Sequence, residues 1–215
     1  MVLDLVQEYI EEHQFFNASA IIPFISSRFA KTSINISDQG IKSILQSLVK
    51  KNLIVDGSRL TRDRVLTNKN RKKIYDYILN NPGTYFYEIV KKTKLNIPVV
   101  EWHINILLNF NFIIKRKIGN QEVYFEIKYN QELDETVHFI RKDKSKKIIK
   151  FFLYDNDGIT KTRISKELKM HYNTINKYFE KLERMRILNK KKLSNMTIFF
   201  LNKDLWYEKY AQYNV

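Results

Sequence analysis

Four polar side chains recur at helical spacing in a stretch near residue 172. They are Tyr172, Asn173, Asn176 and Lys177. Residues one turn apart share one side of a helix, so these four would be presented together. An asparagine amide can pair with an adenine edge, and a lysine can reach a guanine or a phosphate. These residue types could read the major groove of duplex DNA, although asparagine and lysine are also ordinary on a solvated helix face.

Basic side chains lie on both sides of this stretch. Lysine and arginine contact phosphates, which positions a protein on DNA without reading its sequence. A preceding helix-like run and a following hairpin-like run supply six of them: Lys161, Arg163, Lys166, Lys190, Lys191 and Lys192. A second basic run, in a similar position earlier in the chain, comprises Lys115, Arg116 and Lys117. We expect these residues to contact the phosphate backbone.

The elements that must position these side chains lie between residues 158 and 201. The hydrophobic pattern predicts a short helix over 163–168 and a tight turn at 169–171. A second helix follows, with Ile175 and Leu182 on its inward face. This arrangement is typical of a helix-turn-helix, whose second helix can enter the major groove.

Two β-like runs follow this predicted helix-turn-helix. They cover residues 187–193 and 196–201, and Ser194 and Asn195 between them suit a tight hairpin turn. A helix-turn-helix followed by a two-stranded wing is the layout of a winged-helix module. The sequence therefore predicts a winged helix in the last third of the chain.

The same layout occurs 75 positions earlier, and no gap is needed to align the two copies. The matched positions are turn residues and apolar residues of the predicted core: Gly83 with Gly158, Ile89 with Ile164, Leu95 with Met170, Val100 with Ile175, Leu107 with Leu182, and Asn120 with Asn195. We interpret them as two copies of one supersecondary unit.

A third and more divergent copy is predicted at the beginning of the chain. Apolar and turn positions again correspond: Ile41, Leu48, Asn52 and Ile54 align with Val100, Leu107, Asn111 and Ile113. Helices are predicted over 2–13, 20–29 and 38–51, followed by a short hairpin over 53–60. This first module would have a stunted wing.

The predicted fold class is mainly α with small β wings (α+β), arranged as tandem winged helix-turn-helix domains. The predicted divisions are a diverged winged helix at 1–66 suited to dimerisation, a winged helix at 67–130, a linker at 131–143 that is helical in its second half, a winged helix at 144–202 that is the best DNA reader, and a C-terminal helical tail at 203–215.

The charge of the chain favours a polyanionic partner. Its 215 residues carry a net charge of +15, with a pI near 9.7. The net charge is +1 over residues 1–66, +6 over 67–130 and +8 over 131–215. A basic surplus concentrated in two thirds of a chain most often indicates nucleic acid, the alternative being a lysine-rich solvated surface.

The composition also narrows the cellular setting. The chain has no cysteine, which excludes disulfides and thiolate metal sites and suits a cytoplasmic protein. It has no uncharged apolar run of about 18 residues, so we expect no membrane insertion. Its first residues form an acidic amphipathic pattern that differs from a signal peptide.

The middle module has a different surface from the third. The positions that correspond to the DNA-reading face are Ile97, Pro98, Glu101 and Trp102. A carboxylate repels phosphates, and the three apolar residues offer few hydrogen bonds. We predict a protein interface at Ile97, Pro98 and Trp102, with packing of Trp102 against a neighbouring module of the same chain as the alternative.

The middle module resembles archaeal winged helix-turn-helix transcriptional regulators of the MarR/ArsR-like group. Their recurring pattern has Asn-Pro-Gly after the first helix and an aromatic–histidine pair in the third. Here these motifs are Asn81, Pro82 and Gly83, followed by Trp102 and His103. The third module resembles the same group through Met170, Thr174, Ile175 and Leu182. The resemblance implies a winged-helix fold and a regulator of transcription, whereas winged helices in general also serve as protein-interaction modules.

No pattern in the chain indicates catalysis, a cofactor or a metal site. The histidines, His13, His103, His138 and His171, lack ligand-like spacing. His103 lies on the inner side of its predicted helix and is expected to be a core residue. The five glycines all lie near predicted turns, and none forms a phosphate-binding loop.

The function predicted from the sequence is a DNA-binding transcriptional regulator and not an enzyme. Its partner would be double-stranded DNA, with a homodimer as a further expectation because regulators of this kind often read two half-sites. The alternative is a protein-interaction scaffold of tandem winged helices, similar to RNA polymerase-associated factors or the core of endosomal sorting complexes. In that case the middle module would bind the protein partner.

Overall fold

The computed structural model describes residues 1–129, 134–155, 157–193 and 195–213, which group into two compact units. The first unit comprises residues 1–79 and 85–127, and the second comprises residues 80–84 and 128–215. Helices dominate, and the described strands form small antiparallel sheets. The predicted fold class, α+β with small β wings, is confirmed.

The first two thirds of the chain contain helices α1 to α7 and strands β1 to β3. In chain order they are α1 (Val2–His13), α2 (Ile21–Phe29), α3 (Asp38–Lys50), α4 (Arg62–Val65), α5 (Lys69–Asn80), β1 (Thr84–Tyr85), α6 (Phe86–Thr93), α7 (Ile97–Asn109), β2 (Ile113–Ile118) and β3 (Gln121–Glu126).

Helices α1, α2 and α3 enclose the first hydrophobic core. Val6, Ile25, Ile41 and Ile54 are fully buried within it. Ser37 caps α3 by accepting a hydrogen bond from the backbone N–H of Gly40. Burial of the apolar stripe of each helix is the main source of stability here.

The hairpin predicted over 53–60 is reduced to one bridge, between Ile54 and Thr61. The cause is a competing backbone pairing. Phe16 donates its N–H to the carbonyl of Ser58 and accepts a hydrogen bond from the N–H of Gly57, both at 2.8 Å. These bonds occupy backbone groups that a regular second strand would use, and the wing remains stunted.

A second core lies beneath α5, α6 and α7. Ile74, Ile89, Val100 and Leu107 are its fully buried members. Strands β2 and β3 pair antiparallel from Ile113 opposite Glu126 to Ile118 opposite Gln121. Between them lies a two-residue turn with Gly119 at a φ of 61°.

Two equivalent asparagines join the halves of the first unit. Asn52 and Asn111, which align in the predicted repeat, have φ values of 53° and 52°. Asn111 donates its side-chain amide to Oδ1 of Asn52 at 2.7 Å, and Asn52 donates to the carbonyl of Asn109 at 3.1 Å. Left-handed asparagines at helix ends are tolerated because the short polar side chain compensates the strain.

The last third of the chain contains helices α8 to α12 and strands β4 and β5. In chain order they are α8 (Asp134–Ile140), α9 (Asp143–Tyr154), α10 (Lys161–Glu167), α11 (Tyr172–Arg184), β4 (Leu188–Leu193), β5 (Met196–Leu201) and α12 (Lys203–Leu205), followed by a π-helical turn (Trp206–Tyr210) and a 3-10 turn (Ala211–Tyr213).

The core of the second unit extends beyond the winged-helix elements on both sides. Val137 and Ile140 of α8 are fully buried in it, and the side chains of Trp206 and Tyr210 are only 3% and 5% exposed. The predicted helix in the second half of the linker is therefore present and packs into the core. Residues 131–133 of that linker, together with 130, 156, 194, 214 and 215, lie outside the described residues. The predicted tail packs on its own unit.

The two copies predicted at a spacing of 75 residues have matching elements. Helices α7 and α11 differ by 75 at both ends, as do strands β2 and β4 and strands β3 and β5. Positive φ values also recur at this spacing, at Lys94 and Lys169 and at Gly83 and Gly158. The predicted domain boundaries themselves stay a prediction.

Candidate nucleic-acid interface

The turn between α10 and α11 is fixed by local hydrogen bonds. Lys169 has a φ of 49°, which reverses the chain after α10. Ser165 donates its hydroxyl to the carbonyl of Met170 at 2.6 Å and accepts the N–H of that residue on its own carbonyl at 3.0 Å. His171 then caps α11 by accepting the N–H of Asn173 on Nδ1 at 3.2 Å. The start of α11 is thus held at a defined angle to α10.

Helix α11 has one buried face and one polar face. Ile175, Phe179 and Leu182 are buried in the core. On the opposite face of the first turns, the side chains of Tyr172, Asn173 and Lys177 are exposed. The Lys177 ammonium forms no hydrogen bond or ion pair with any described residue, so it is available to a partner.

Asn176 is more constrained than the sequence suggested. Its side chain is half-buried, and Oδ1 accepts a hydrogen bond from Nζ of Lys161 at 2.5 Å. Its amide nitrogen donates to Oε1 of Glu180 at 2.7 Å. Asn176 can therefore read a base only by exchanging these bonds, and Lys161 is tied to the same network.

The lysines of strand β4 lie on two faces of the wing. Strand β4 pairs antiparallel with β5, with Leu188 opposite Leu201 and Lys192 opposite Thr197. Because side chains alternate along a strand, Lys190 and Lys192 share the face of the buried Leu188, and Lys191 lies on the other. Lys190 forms an ion pair with Glu183 of α11, which shows that its face is turned toward that helix.

The remaining predicted cations of the second unit differ in their pairing. Arg163 forms an ion pair with Asp155 at 2.9 Å. The side chains of Lys166, Lys191 and Lys192 are exposed and make no hydrogen bond or ion pair with a described residue. With Lys177, these are four exposed ammonium groups without a partner among the described residues.

A cleft of about 590 Å³ separates the wing from the start of α10 and α11. It is lined by hydroxyl-bearing residues and by cations, among them Thr160, Lys161, Tyr172, Lys190 and Thr197. Thr160 also caps α10 by accepting the N–H of Arg163 at 3.2 Å. Sequence patterns did not single out the two threonines, because a hydroxyl carries no periodic signal.

The corresponding surface of the first unit is apolar. Ile97 and Trp102 of α7 are 48% and 56% exposed, and Pro98 and Glu101 beside them are also exposed. On strand β2, Lys115 pairs with Glu122 at 3.1 Å, Arg116 is half-buried and Lys117 is exposed. The residues predicted as a protein interface thus lie together at the start of α7.

His103 and His138 are buried, as predicted for His103. Burial lowers the pKa of His103, and the charge of Arg71 adds to the effect. Burial also lowers the pKa of His138, opposed by its hydrogen bond to the carbonyl of Gly83, while the charges of Lys142, Arg141 and Lys181 lower it further. Both side chains therefore favour the neutral form in the folded protein.

We expect acid to destabilise the protein through these two histidines. In the unfolded chain their pKa is near 6.5, so the unfolded state binds more protons as the pH falls below about 6.5. The free energy of unfolding should decline through this pH range down to the lower pKa values of the folded state. Urea denaturation at pH 7.5 and pH 5.5 measures the loss. An equal loss in a His103→Gln/His138→Gln variant would assign it to other groups.

The described residues contain no cluster of three or more His, Cys, Asp or Glu side chains arranged to hold a metal ion. None of the described helices is both long and apolar enough to cross a membrane. Sequence patterns did not single out Arg71, a charged residue that is buried on the inward stripe of α5 with Ile74 and Ile78.

A helix-turn-helix followed by a two-stranded wing defines the second unit as a winged helix. The chain is similar to an uncharacterized HTH-type transcriptional regulator of the archaeon Methanocaldococcus jannaschii, with 28% identity over 146 residues. The similarity covers 68% of this chain and 37% of that protein, so it spans little more than a third of the relative's length. No protein-family model matches the sequence. The similarity supports a helix-turn-helix regulator, without distinguishing the MarR/ArsR-like group from others.

Proposed function

We propose that the chain is a DNA-binding transcriptional regulator built from tandem winged helices at 1–66, 67–130 and 144–202. The name of the archaeal relative supports this proposal. So does the grouping of the buried apolar side chains of the described residues into three separate cores. Each core is centred on the helices of one predicted module, and the third also takes in α8 and the turns after β5.

The third module would dock by the geometry usual for winged helices. The first turns of α11 enter the major groove, where Asn173 can pair with a base edge. Lys166 of α10 and Lys192 of the wing neutralise phosphates on either side. The middle wing, through Lys117, adds a further phosphate contact.

One observation carries the proposal. The free ammonium of Lys177 and the exposed amide of Asn173 share the polar face of α11, and Lys190 and Lys192 lie on the face of β4 that turns toward the same helix. A helix face that contacts only solvent does not require basic side chains of the wing to lie beside it. A groove-reading surface needs both a base-reading group and flanking cations.

The direct test is fluorescence anisotropy of labelled duplex DNA over a series of salt concentrations. Neutralisation of four or more phosphates gives a slope of log affinity against log salt of about −3.6 or steeper. Binding that is flat with salt, or only millimolar at low salt, contradicts the proposal. Tighter binding to a genomic upstream fragment than to a random duplex would show, in addition, that the protein recognises a specific DNA sequence.

We expect Lys177→Ala to lower the affinity for duplex DNA by about five- to tenfold near 0.1 M salt and to make the salt slope shallower by about 1. The physical reason is the loss of one phosphate or guanine contact from the start of α11. Lys209→Ala removes the same charge from an exposed position after the wing and is the control. Equal effects of the two changes would show that Lys177 contributes only net charge.

A protein-binding scaffold is the second candidate, favoured by the exposure of Ile97, Pro98 and Trp102. An apolar surface of this kind suits a protein partner or a second copy of the chain. Failure of the DNA titration, together with loss of self-association or of a protein partner in Trp102→Ala, would favour this candidate.

A further inference from the structure

Helix α6 carries an exposed stripe of one tyrosine and two lysines. Tyr87, Lys91 and Lys94 follow one another at spacings of four and three residues, so they lie on the same side of the helix and its end. All three are exposed, Tyr87 to 67%. The two ammonium groups form no hydrogen bond or ion pair with a described residue. The stripe thus places an open aromatic ring beside two available positive charges.

The aromatic residues at the start of α6 are held in place by their neighbours. Tyr85, which is 41% exposed, belongs to strand β1, and this strand pairs with β3 at the edge of the three-stranded sheet. The Tyr87 ring meets the half-buried Phe86 ring edge to face, with 5.6 Å between the centroids. Phe86 in turn packs against the core of the module. Tyr87 is therefore supported on one side while most of its surface stays open.

The third module has the same cations but no rings at the equivalent positions. Helices α6 and α10 begin 75 residues apart. The pairs at this spacing are Lys91 with Lys166, Lys94 with Lys169, Tyr85 with Thr160, and Tyr87 with Thr162. Lys166 is a phosphate contact in the proposed function. The middle module therefore retains the cations of a phosphate-binding helix and adds aromatic surface beside them.

An aromatic ring beside phosphate-binding lysines suits a single strand better than a duplex. In a duplex each base is covered by its neighbours in the stack, and a protein ring reaches a base face only by unstacking it. The bases of a single strand are open to stacking, and tyrosine accepts any of them because every base has a π-face. Lysines beside the ring then neutralise the phosphates of the strand.

The carboxylates around the stripe restrict where the phosphates of such a strand can lie. Glu88, the carboxylate of α6, is half-buried and accepts a hydrogen bond from the Tyr77 hydroxyl at 2.8 Å. Glu101 of the neighbouring α7 is exposed and repels phosphates. The backbone of the strand is therefore expected along Lys91 and Lys94 of the α6 stripe.

We propose that the middle module binds a single strand of DNA, with one base stacked on Tyr87, a neighbouring base against Tyr85, and phosphates on Lys91 and Lys94. This goes beyond the proposed function, which concerns duplex DNA and chiefly the third module. The choice of DNA over RNA rests on that function. The single-strand and duplex titrations use different probes, so either proposal can fail while the other stands.

Fluorescence anisotropy with the full chain and a labelled oligothymidine of about 12 nucleotides tests the proposal, since this length is within the usual site sizes of single-strand binders. An abasic strand of the same length carries the same phosphates without bases. We expect it to bind at least about fivefold more weakly because it cannot stack. Equal affinities of the two strands overturn the proposal without any variant of the protein. An oligouridine that binds at least about tenfold more tightly than the oligothymidine overturns the choice of DNA.

Tyr87→Ala should weaken oligothymidine binding by at least about fivefold and leave the affinity for duplex DNA within about twofold. The fold should be retained, because Tyr87 is exposed and alanine favours a helix. Tyr87→Phe keeps the ring and should bind as the unchanged protein does. Tyr154→Ala, which removes an exposed tyrosine from α9 of the second unit, is the control. Equal losses in the two alanine variants, or an equal loss of duplex binding in Tyr87→Ala, overturn the proposal.

Lys91→Ala tests the phosphate contact separately from stacking. We expect the slope of log affinity against log salt for the oligothymidine to become shallower by about 0.7, the contribution of one phosphate of a single strand. Lys92→Ala removes the same charge from an exposed position of the same helix outside the stripe, and it should leave the slope unchanged. Equal changes in the two variants would show that α6 contributes only net charge, which overturns the placement of the strand.

Discussion

Replacing Lys190, Lys191 and Lys192 together by alanine should lower the affinity for duplex DNA by about 100- to 1,000-fold near 0.1 M salt. Each phosphate contact contributes about 0.9 to the salt slope, which corresponds to roughly eightfold in affinity between 1 M and 0.1 M salt. Three contacts multiply to several hundredfold. The slope itself should become shallower by about 2.7.

Lys190 contributes to this effect in two ways. It forms an ion pair with Glu183, so its removal also leaves an uncompensated carboxylate beside the cleft between wing and helix. A bare carboxylate repels the phosphates of an approaching duplex. The triple variant should therefore fall at the upper part of the expected range if the wing contacts DNA.

The matched control removes the same charge from the first module. Lys42, Lys50 and Lys51 are exposed lysines at α3 and its end, in a segment with almost no net charge. The Lys42→Ala/Lys50→Ala/Lys51→Ala variant should change affinity far less than the β4 variant. Equal losses in the two variants would mean that affinity depends only on total charge and that the lysines of β4 make no specific contact with the DNA.

The helical framework could be predicted from the sequence because it depends on local patterns. The inward positions of Ile175 and Leu182 identified α11, and both residues are buried together with Phe179. The cap at Ser37 and the turn at Gly119 follow from residue chemistry alone. These features need no knowledge of distant contacts.

The features that the sequence did not reveal depend on distant residues that compete for the same groups. The first wing was predicted to be stunted, but its reduction to one bridge has a cause outside it, because Phe16, some forty residues earlier, takes backbone bonds at Gly57 and Ser58. Asn176 was predicted as a free base reader, yet its amide is engaged by Lys161 and Glu180. Neither pairing has a signature in local periodicity, since each depends on how elements pack.

The candidate site could be predicted only in part, because it too depends on how the elements pack. Residue type and spacing located the exposed face of α11, but only the register of β4 and β5 separates Lys190 and Lys192 from Lys191. Arg71 illustrates the opposite case. Its place on the stripe of Ile74 and Ile78 marks it as buried, whereas only the three-dimensional structure shows that its Nε has no hydrogen-bond partner among the described residues.

Gly158→Ala should destabilise the second unit by about 2 to 5 kcal/mol, from backbone strain and overpacking together. Gly158 has a φ of 81°, which disfavours any residue with a Cβ. A Cβ there would lie 2.5 and 2.6 Å from two ring carbons of Phe200 and closer still to Ile198. The adjacent Ile159 exchanges two backbone hydrogen bonds with Phe199, both 2.9 Å long, so the chain has little freedom to move away.

Gly119→Ala separates the two causes of this destabilisation. Gly119 also has a positive φ, 61°, but a Cβ there meets no atom within 4 Å. It should therefore lower the free energy of unfolding only by the strain contribution, about 1 to 2 kcal/mol. Urea denaturation followed by Trp206 in a Trp102→Phe background reports on Gly158→Ala, and Trp102 in a Trp206→Phe background reports on Gly119→Ala. Similar losses in both variants would show that the packing of Ile198 and Phe200 against Gly158 is unimportant. A larger loss at Gly158 means that Ile198 and Phe200 of β5 pack closely against the segment that precedes α10. This contact would then hold the wing, and with it Lys190 and Lys192, in position.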